Sequence, residues 1–323
     1  MQERQSRSGA EISTFRFGPL VLGIRIQRGG LTSLPEMIGH RAVSDARATA
    51  LLDIIDGPEP ILEALLPPDY HGPDRFVMSS ATAYCLWEPN YGGKLTAVDR
   101  TNRRGVVWYR SATHLPSWEV ARPFLQAFKG LAPTTGLTPV HAAAVALGER
   151  GILITGYSGA GKTSTALACV EAGWRYVGDD VVLIAGAPLR AINMYRSARV
   201  REDMIPHLRR SMTGMLMFST DSGERKAELD VGRLQSSAIG DADIGAIVVP
   251  RRTGASGVTI APMRRSTALR ELSANTLVAL PGDAAASYEA MAGAMADTPC
   301  YSLDPGPVLG LVPAALERLA AAW

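Results

Sequence analysis

Residues 151–184 run GILITGYSGAGKTSTALACVEAGWRYVGDDVVLI: a short apolar strand, a glycine-rich turn, a helix-forming stretch that stops at Gly173, and a second apolar run. Gly156 through Thr163 satisfies GxxxxGK[ST] in full, and a strand before with a helix after is the setting that pattern requires. Its glycines let the backbone wrap so that successive N–H groups point inward, and the helix N-terminus adds positive potential at the same spot. A phosphate cradle is therefore predicted from Gly156, Ser158, Gly159, Ala160, Gly161, Lys162, Thr163 and Ser164. Lys162 supplies the point charge for β and γ oxygens, and Thr163 offers its hydroxyl to Mg²⁺.

The acids define which kind of phosphate-loop protein this is. Asp179 and Asp180 follow Lys162 by 17 and 18 residues and stand before the apolar run 181–184, whereas ordinary nucleotide-hydrolysing motors place their acid at the end of such a run. An acid pair entering a strand beside the loop is placed to let one carboxylate hold Mg²⁺ while the other accepts a hydroxyl proton, a division that suits phosphoryl transfer to an alcohol. His141 opens the run HAAAVAL, 15 residues before Gly156, and parallel pairing of that run with the loop strand is expected to bring the imidazole to Asp179.

Outward from this centre, 244–249 reads as a further buried strand, 267–280 and 284–295 as helices, and 307–322 as a terminal amphipathic helix. Residues 117–131 have helical spacing with Pro123 as a start or kink. The first third looks strand-rich, with alternation over 15–26, strand-favouring residues over 76–87 and 105–109, and a helix-like stretch at 46–55. The expected architecture is α/β: a smaller strand-rich α+β domain over 1–125, possessing room for an acceptor, and a mixed-sheet phosphate-loop domain over 126–323.

Composition narrows the class. Thirty-three Lys and Arg against 31 Asp and Glu leave a net charge of +2, with basic residues only in pairs, which argues against a nucleic-acid partner. No stretch of about 18 apolar residues occurs and the start MQERQSRSGAEIS lacks an apolar core, so no membrane partner and a cytoplasmic location are expected. Cys85, Cys169 and Cys300 are odd in number and far apart, reading as reduced thiols. Trp87, Trp108, Trp118 and Trp174 read as packing residues.

The stretch 140–184, VHAAAVALGERGILITGYSGAGKTSTALACVEAGWRYVGDDVVLI, resembles the catalytic domain of the HPr serine kinase/phosphorylase family, down to the upstream His and the Asp pair. The resemblance implies an HPr kinase-like fold, ATP and Mg²⁺ as cofactors, Asp179 as catalytic base with His141 beside it, Lys162 on the phosphates, and Thr163 with Asp180 on the metal. Arg251 or Arg252 is similar to a charge-stabilising arginine. The family's glycine-rich signature after the Asp pair is not found, and residues 1–130 differ in kind from its usual N-terminal domain. That combination looks like the divergent kinases beside ribosomal-peptide biosynthesis genes, including those tailoring lasso peptides at a C-terminal serine. The partner implied is a precursor peptide or small acceptor protein, with a homo-oligomer left open. The alternatives are a kinase of an HPr-type carrier protein and a non-catalytic ATP-binding regulatory module.

Arg196, Arg199 and Arg201 precede a helical stretch and are placed to reach nucleotide or a peptide carboxylate. Lys226, in GERKAELDV, is a secondary candidate for the triphosphate.

Overall fold

The computed structural model describes residues 11–27, 31, 34–57, 76–88, 93–112, 115–207, 216–221, 224–233, 240–279 and 283–321. A seven-stranded sheet occupies the first third, in the order Ile12–Phe17, Leu20–Ile26, Ala50–Asp56, Arg104–Tyr109, Lys94–Asp99, Ala83–Glu88, Phe76–Ser79. The helix-like stretch 46–55 becomes the strand Ala50–Asp56, parallel to both neighbours. The run ALLDII contains both spacings, and Ala50, Leu52 and Ile54 use the period of two, alternating into the core.

Residues 117–131 form two helices, Ser117–Ala121 and Leu125–Leu131, instead of one. Pro123 supplies no N–H to continue the first helix, and Phe124 then takes a left-handed φ of 61°. This break turns Phe124 and Phe128 into the core, where Phe128 meets Phe17 edge-on with centroids 4.8 Å apart. The same core cluster continues through Val181, Leu183, Ile192, Met194 and Tyr195, so apolar packing runs unbroken across residue 125. Polar ties cross it too: the Tyr195 hydroxyl donates to the Pro123 carbonyl at 2.7 Å, Ser197 donates to the Ala121 carbonyl at 2.9 Å, and Arg41 pairs with Asp241.

The second sheet positions the site. Its path is Arg175–Gly178, Ala143–Leu147, Arg150–Ile154, Ala242–Pro250, Arg190–Ile192, Val182–Ala185, Thr138–Val140, with Cys300–Asp304 and Thr259–Pro262 branching from the central strand. Two very short connections leap across this order. The chain passes from Val140 to Ala143 and from Gly178 to Val182, each between strands five places apart. In a flat sheet five places span about 24 Å. Four residues of extended chain reach only about 14 Å. The sheet must therefore curl until its two margins meet, and the strand Arg190–Ile192 is joined to the central strand at Ala242 and Asp243. His141 lies in one seam-crossing connection, and Asp179 and Asp180 lie in the other.

Helices Lys162–Glu171 and Val312–Ala320 cover one face of the curled sheet, and Arg265–Ala279 with Ala284–Ala294 cover the other. A three-stranded sheet, Ser197–Arg201, Glu224–Asp230 and Leu216–Asp221, packs near the helix that follows the loop. Trp174 is buried under that helix, and Trp87 stacks with Trp108 in a separate apolar cluster. Among the described residues, no helix is long and apolar enough to cross a membrane, and the three cysteines carry free thiols.

Candidate active site

The loop leaves the end of the strand Arg150–Ile154, held by Thr155 N–H donating to the Val248 carbonyl at 3.0 Å. Gly156, Gly159 and Gly161 have φ of 143°, 80° and 101°, so a side chain at any of them would strain the backbone. Around Gly159 and Gly161 nothing lies within 4 Å of where a Cβ would stand. The helix starts at Lys162, and Ser158, Gly159, Ala160, Thr163 and Ser164 retain solvent contact. Lys162 folds back over the loop, donating to the carbonyls of Gly156 at 2.8 Å and Tyr157 at 3.2 Å. Burial lowers its pKa while both aspartates oppose the shift.

Across from the loop, Gly178 precedes the acid pair because a Cβ there would stand 2.8 Å from Val182 Cγ2. Asp180 then takes φ 66°, and this left-handed turn sends the two neighbouring carboxylates in different directions. Asp179 turns inward, accepting from the Thr163 hydroxyl at 2.9 and 3.0 Å and from the Arg199 backbone N–H at 3.1 Å. It is 2% exposed, and burial together with Asp180 raises its pKa to about 6. Asp180 turns outward, with its side chain 24% exposed, Oδ1 3.4 Å from His141 Nδ1 and Oδ2 3.3 Å from Arg122. Burial works against its charge, but Arg122, His141, Arg199 and Lys162 together hold its carboxyl well below the usual range.

These pairings reverse the expected ones. Thr163 shares its hydroxyl with Asp179 rather than standing with Asp180, and His141 faces Asp180 rather than Asp179. The cause is the positive φ of Asp180, which alternation along an ideal strand does not anticipate. Parallel pairing of the His141 run is also corrected: Ala143–Leu147 is antiparallel to the loop strand, with Ala143 opposite Ile154. Antiparallel pairing is what puts His141, two residues before Ala143, at the loop end of that strand. Its backbone N–H donates to Thr276 Oγ1 at 3.1 Å, and burial lowers its pKa, with Lys162 and Arg122 adding to the shift against Asp180.

Arg122 and Glu228 complete the site and escaped the sequence reading. Both are buried, and Arg122 reaches Glu228 at 2.8 Å while contacting Asp180. Arg199 binds the same carboxylate at 2.7 Å through its guanidinium, and its backbone N–H donates to Asp179. Arg196 pairs with Asp230 at 3.2 Å. Lys226 lies on the middle strand of the three-stranded sheet, two residues from Glu228 and thus on its face. Arg251 follows the central strand beside the loop and pairs with Glu271 at 2.6 Å, with Arg252 exposed next to it.

The loop, lysine, threonine and buried aspartate fit a nucleotide with its magnesium: a glycine-rich turn at a helix start, one cation, and a hydroxyl and carboxylate converging on one point. Among the described residues, no three His, Cys, Asp or Glu side chains gather as a metal site, so a magnesium ion here would need phosphate oxygens to complete its shell.

The HPr Serine kinase C-terminal domain matches residues 131–204, which run from the end of the helix Leu125–Leu131 through His141, the loop and the acid pair to a few residues beyond Arg199. A solved structure described as the Hpr(Ser) kinase/phosphatase from Coxiella burnetii is matched at 14% identity over 57% of this chain and 99% of that one, with a TM-score of 0.28. No curated protein matches the chain.

Proposed function

We propose that this chain is an ATP- and Mg²⁺-dependent serine kinase that transfers a γ-phosphoryl group to a peptide or small acceptor protein. The observation that carries the reading is the split acid pair: one carboxylate buried against the loop threonine, its neighbour facing solvent between a histidine and an arginine. The match over residues 131–204 supports the serine-kinase class.

Roles follow the geometry. Thr163 and Asp179 are placed to hold magnesium, which when bound supplies positive charge to the phosphate oxygens. Asp179 has the more basic carboxyl, yet at 2% exposure its neighbour on the loop side is the Thr163 hydroxyl. It is placed to take up a magnesium ion together with Thr163, while a bulkier acceptor hydroxyl would not reach it. Asp180 is reachable, and it receives the hydroxyl proton as the oxygen attacks phosphorus in line. A weak base suffices there because phosphoryl transfer runs through a loose transition state with little demand for deprotonation. Lys162 and the loop amides hold the developing charge, and His141 with Arg122 fixes the carboxylate of Asp180.

The finer assignment of the acceptor, the C-terminal serine of a lasso-type precursor peptide, is supported by the sequence resemblance and by an N-terminal part that supplies Arg122 to the site. Incubating the full chain with radiolabelled ATP and, in parallel, a serine-terminated precursor peptide and a folded carrier protein tests it. Label on the peptide is expected. Label on the carrier alone overturns the peptide assignment, and label on neither, with ATP still raising the melting temperature, points to a nucleotide-sensing module.

A further inference from the structure

A cavity of about 630 Å³ opens where the seven-stranded sheet and the helix Leu125–Leu131 meet the helices Arg265–Ala279 and Ala284–Ala294. Its size suits a small ligand or a few residues of chain. Among the described residues, its charged lining is Arg100, Arg103 and Lys129 against Asp283 alone. Asp283 is engaged as a helix cap, accepting from Ala286 N–H at 3.0 Å, and Arg100 is anchored by Ser79 and the Gly130 carbonyl, both at 3.3 Å. The charged lining of the cavity is net cationic, with Arg100 held in place.

It also reaches the backbone of His141, whose ring faces Asp180. Thr276 lines it, and the same Thr276 hydroxyl accepts the His141 N–H at 3.1 Å. Thr138 lines it as well, three residues before His141 along one strand and connection. At about 3.3 Å per residue Thr138 lies roughly 10 Å along the chain from His141, the reach of three or four residues of extended peptide. Near the transfer point Asp179 and Asp180 repel an acidic side chain, whereas the recess attracts one.

We propose that this cavity is the acceptor's recognition subsite and takes an acidic side chain three or four residues from the serine that meets Asp180. The proposal rests on the kinase reading, and it adds a specificity determinant for that reaction.

The test uses the full chain and a set of neutral peptides with one central serine, in which a single Glu is moved through the five positions on either side and compared with Gln. A Glu three or four residues from the serine is expected to raise kcat/KM about tenfold, the scale of one charge-assisted hydrogen bond. In Arg103→Gln/Lys129→Gln the advantage should fall below about twofold, with the all-Gln peptide phosphorylated as before. An advantage at no position, or one that survives the double variant, overturns the subsite. Should the double variant fail to fold, Arg103→Gln alone, on an exposed turn, carries the same comparison. Fluorescence anisotropy of the labelled Glu and Gln peptides separates the two ideas. Selective binding of the Glu peptide, lost in the variant, without transfer to any peptide upholds the subsite and defeats the kinase reading. Equal binding of both peptides defeats the subsite whatever the transfer result.

Discussion

The two sides of the acid pair are built differently. The phosphate side is one continuous piece: loop, lysine, threonine and helix lie within residues 156–171, and only Asp179 and the Arg199 amide come from elsewhere. The acceptor side is assembled from Arg122 at a broken helix, His141 and Asp180 on the two connections that cross the sheet seam, and Glu228 on a separate sheet. The loop's geometry therefore follows from the local chain, whereas the surroundings of Asp180 exist only once the sheet has curled and Arg122 has come to it.

The sharpest way to break this contrast is to remove one carboxylate at a time. Asp180→Asn is expected to lower kcat by about 10²–10⁴-fold with ATP affinity little changed, the range for losing a positioned base. Asp179→Asn should instead raise the Mg²⁺ concentration needed for half-maximal rate. Equal metal dependence of the two variants in a magnesium titration would erase the division of roles.

Next in size is a stability effect confined to the acceptor side. Arg122→Ala leaves buried Glu228 with Arg199 as its remaining partner, so the loss should fall below the cost of a buried charge left unpaired, about 3–5 kcal/mol. Urea unfolding should show that loss, whereas Thr163→Ala, on the phosphate side, should cost about 1 kcal/mol, the scale of one hydrogen bond.

Asp179 also gives a pH signature. A carboxyl raised to about 6 binds its proton more tightly in the folded chain, so its stabilising contribution is greatest below about pH 4 and is lost as pH rises through 6. His40, lowered to about 4 by burial, contributes the opposite slope between about pH 4 and 6.5, so the quantity to follow is wild type minus Asp179→Asn. Urea midpoints should show wild type losing ground to the variant across this window, by no more than about 3 kcal/mol. A difference independent of pH would mean that Asp179 titrates normally.

The smallest effect serves as a control. Arg190 and Asp243 pair at 3.2 Å with both side chains more than half exposed, and Arg190→Ala should change stability by under about 0.5 kcal/mol with transfer rates intact.

Legibility from sequence follows the same divide. The loop, its helix and the position of the acid pair were readable because each is a local pattern whose glycines and spacing carry the geometry. Strand positions near 143–154, 182–185 and 242–250 and the helices near 265–279 and 284–294 were readable to within a few residues for the same reason. The partners of the two aspartates were not, because one left-handed residue, Asp180, swings the carboxylates apart. The helix-like stretch 46–55 misleads because its six residues 50–55 satisfy either period until parallel neighbours choose one. Arg122 left no trace beyond a charge inside an apolar helical pattern next to Pro123, and only the curl of the sheet brings it to a residue 58 positions away.

The most direct measurement is mass spectrometry of a serine-containing peptide after incubation with ATP and Mg²⁺, using the wild-type chain and Asp180→Asn side by side. Phosphoserine in the first reaction and none in the second is the outcome expected here. Equal phosphoserine from both enzymes, or ATP bound with no phosphoserine on any acceptor, would contradict it.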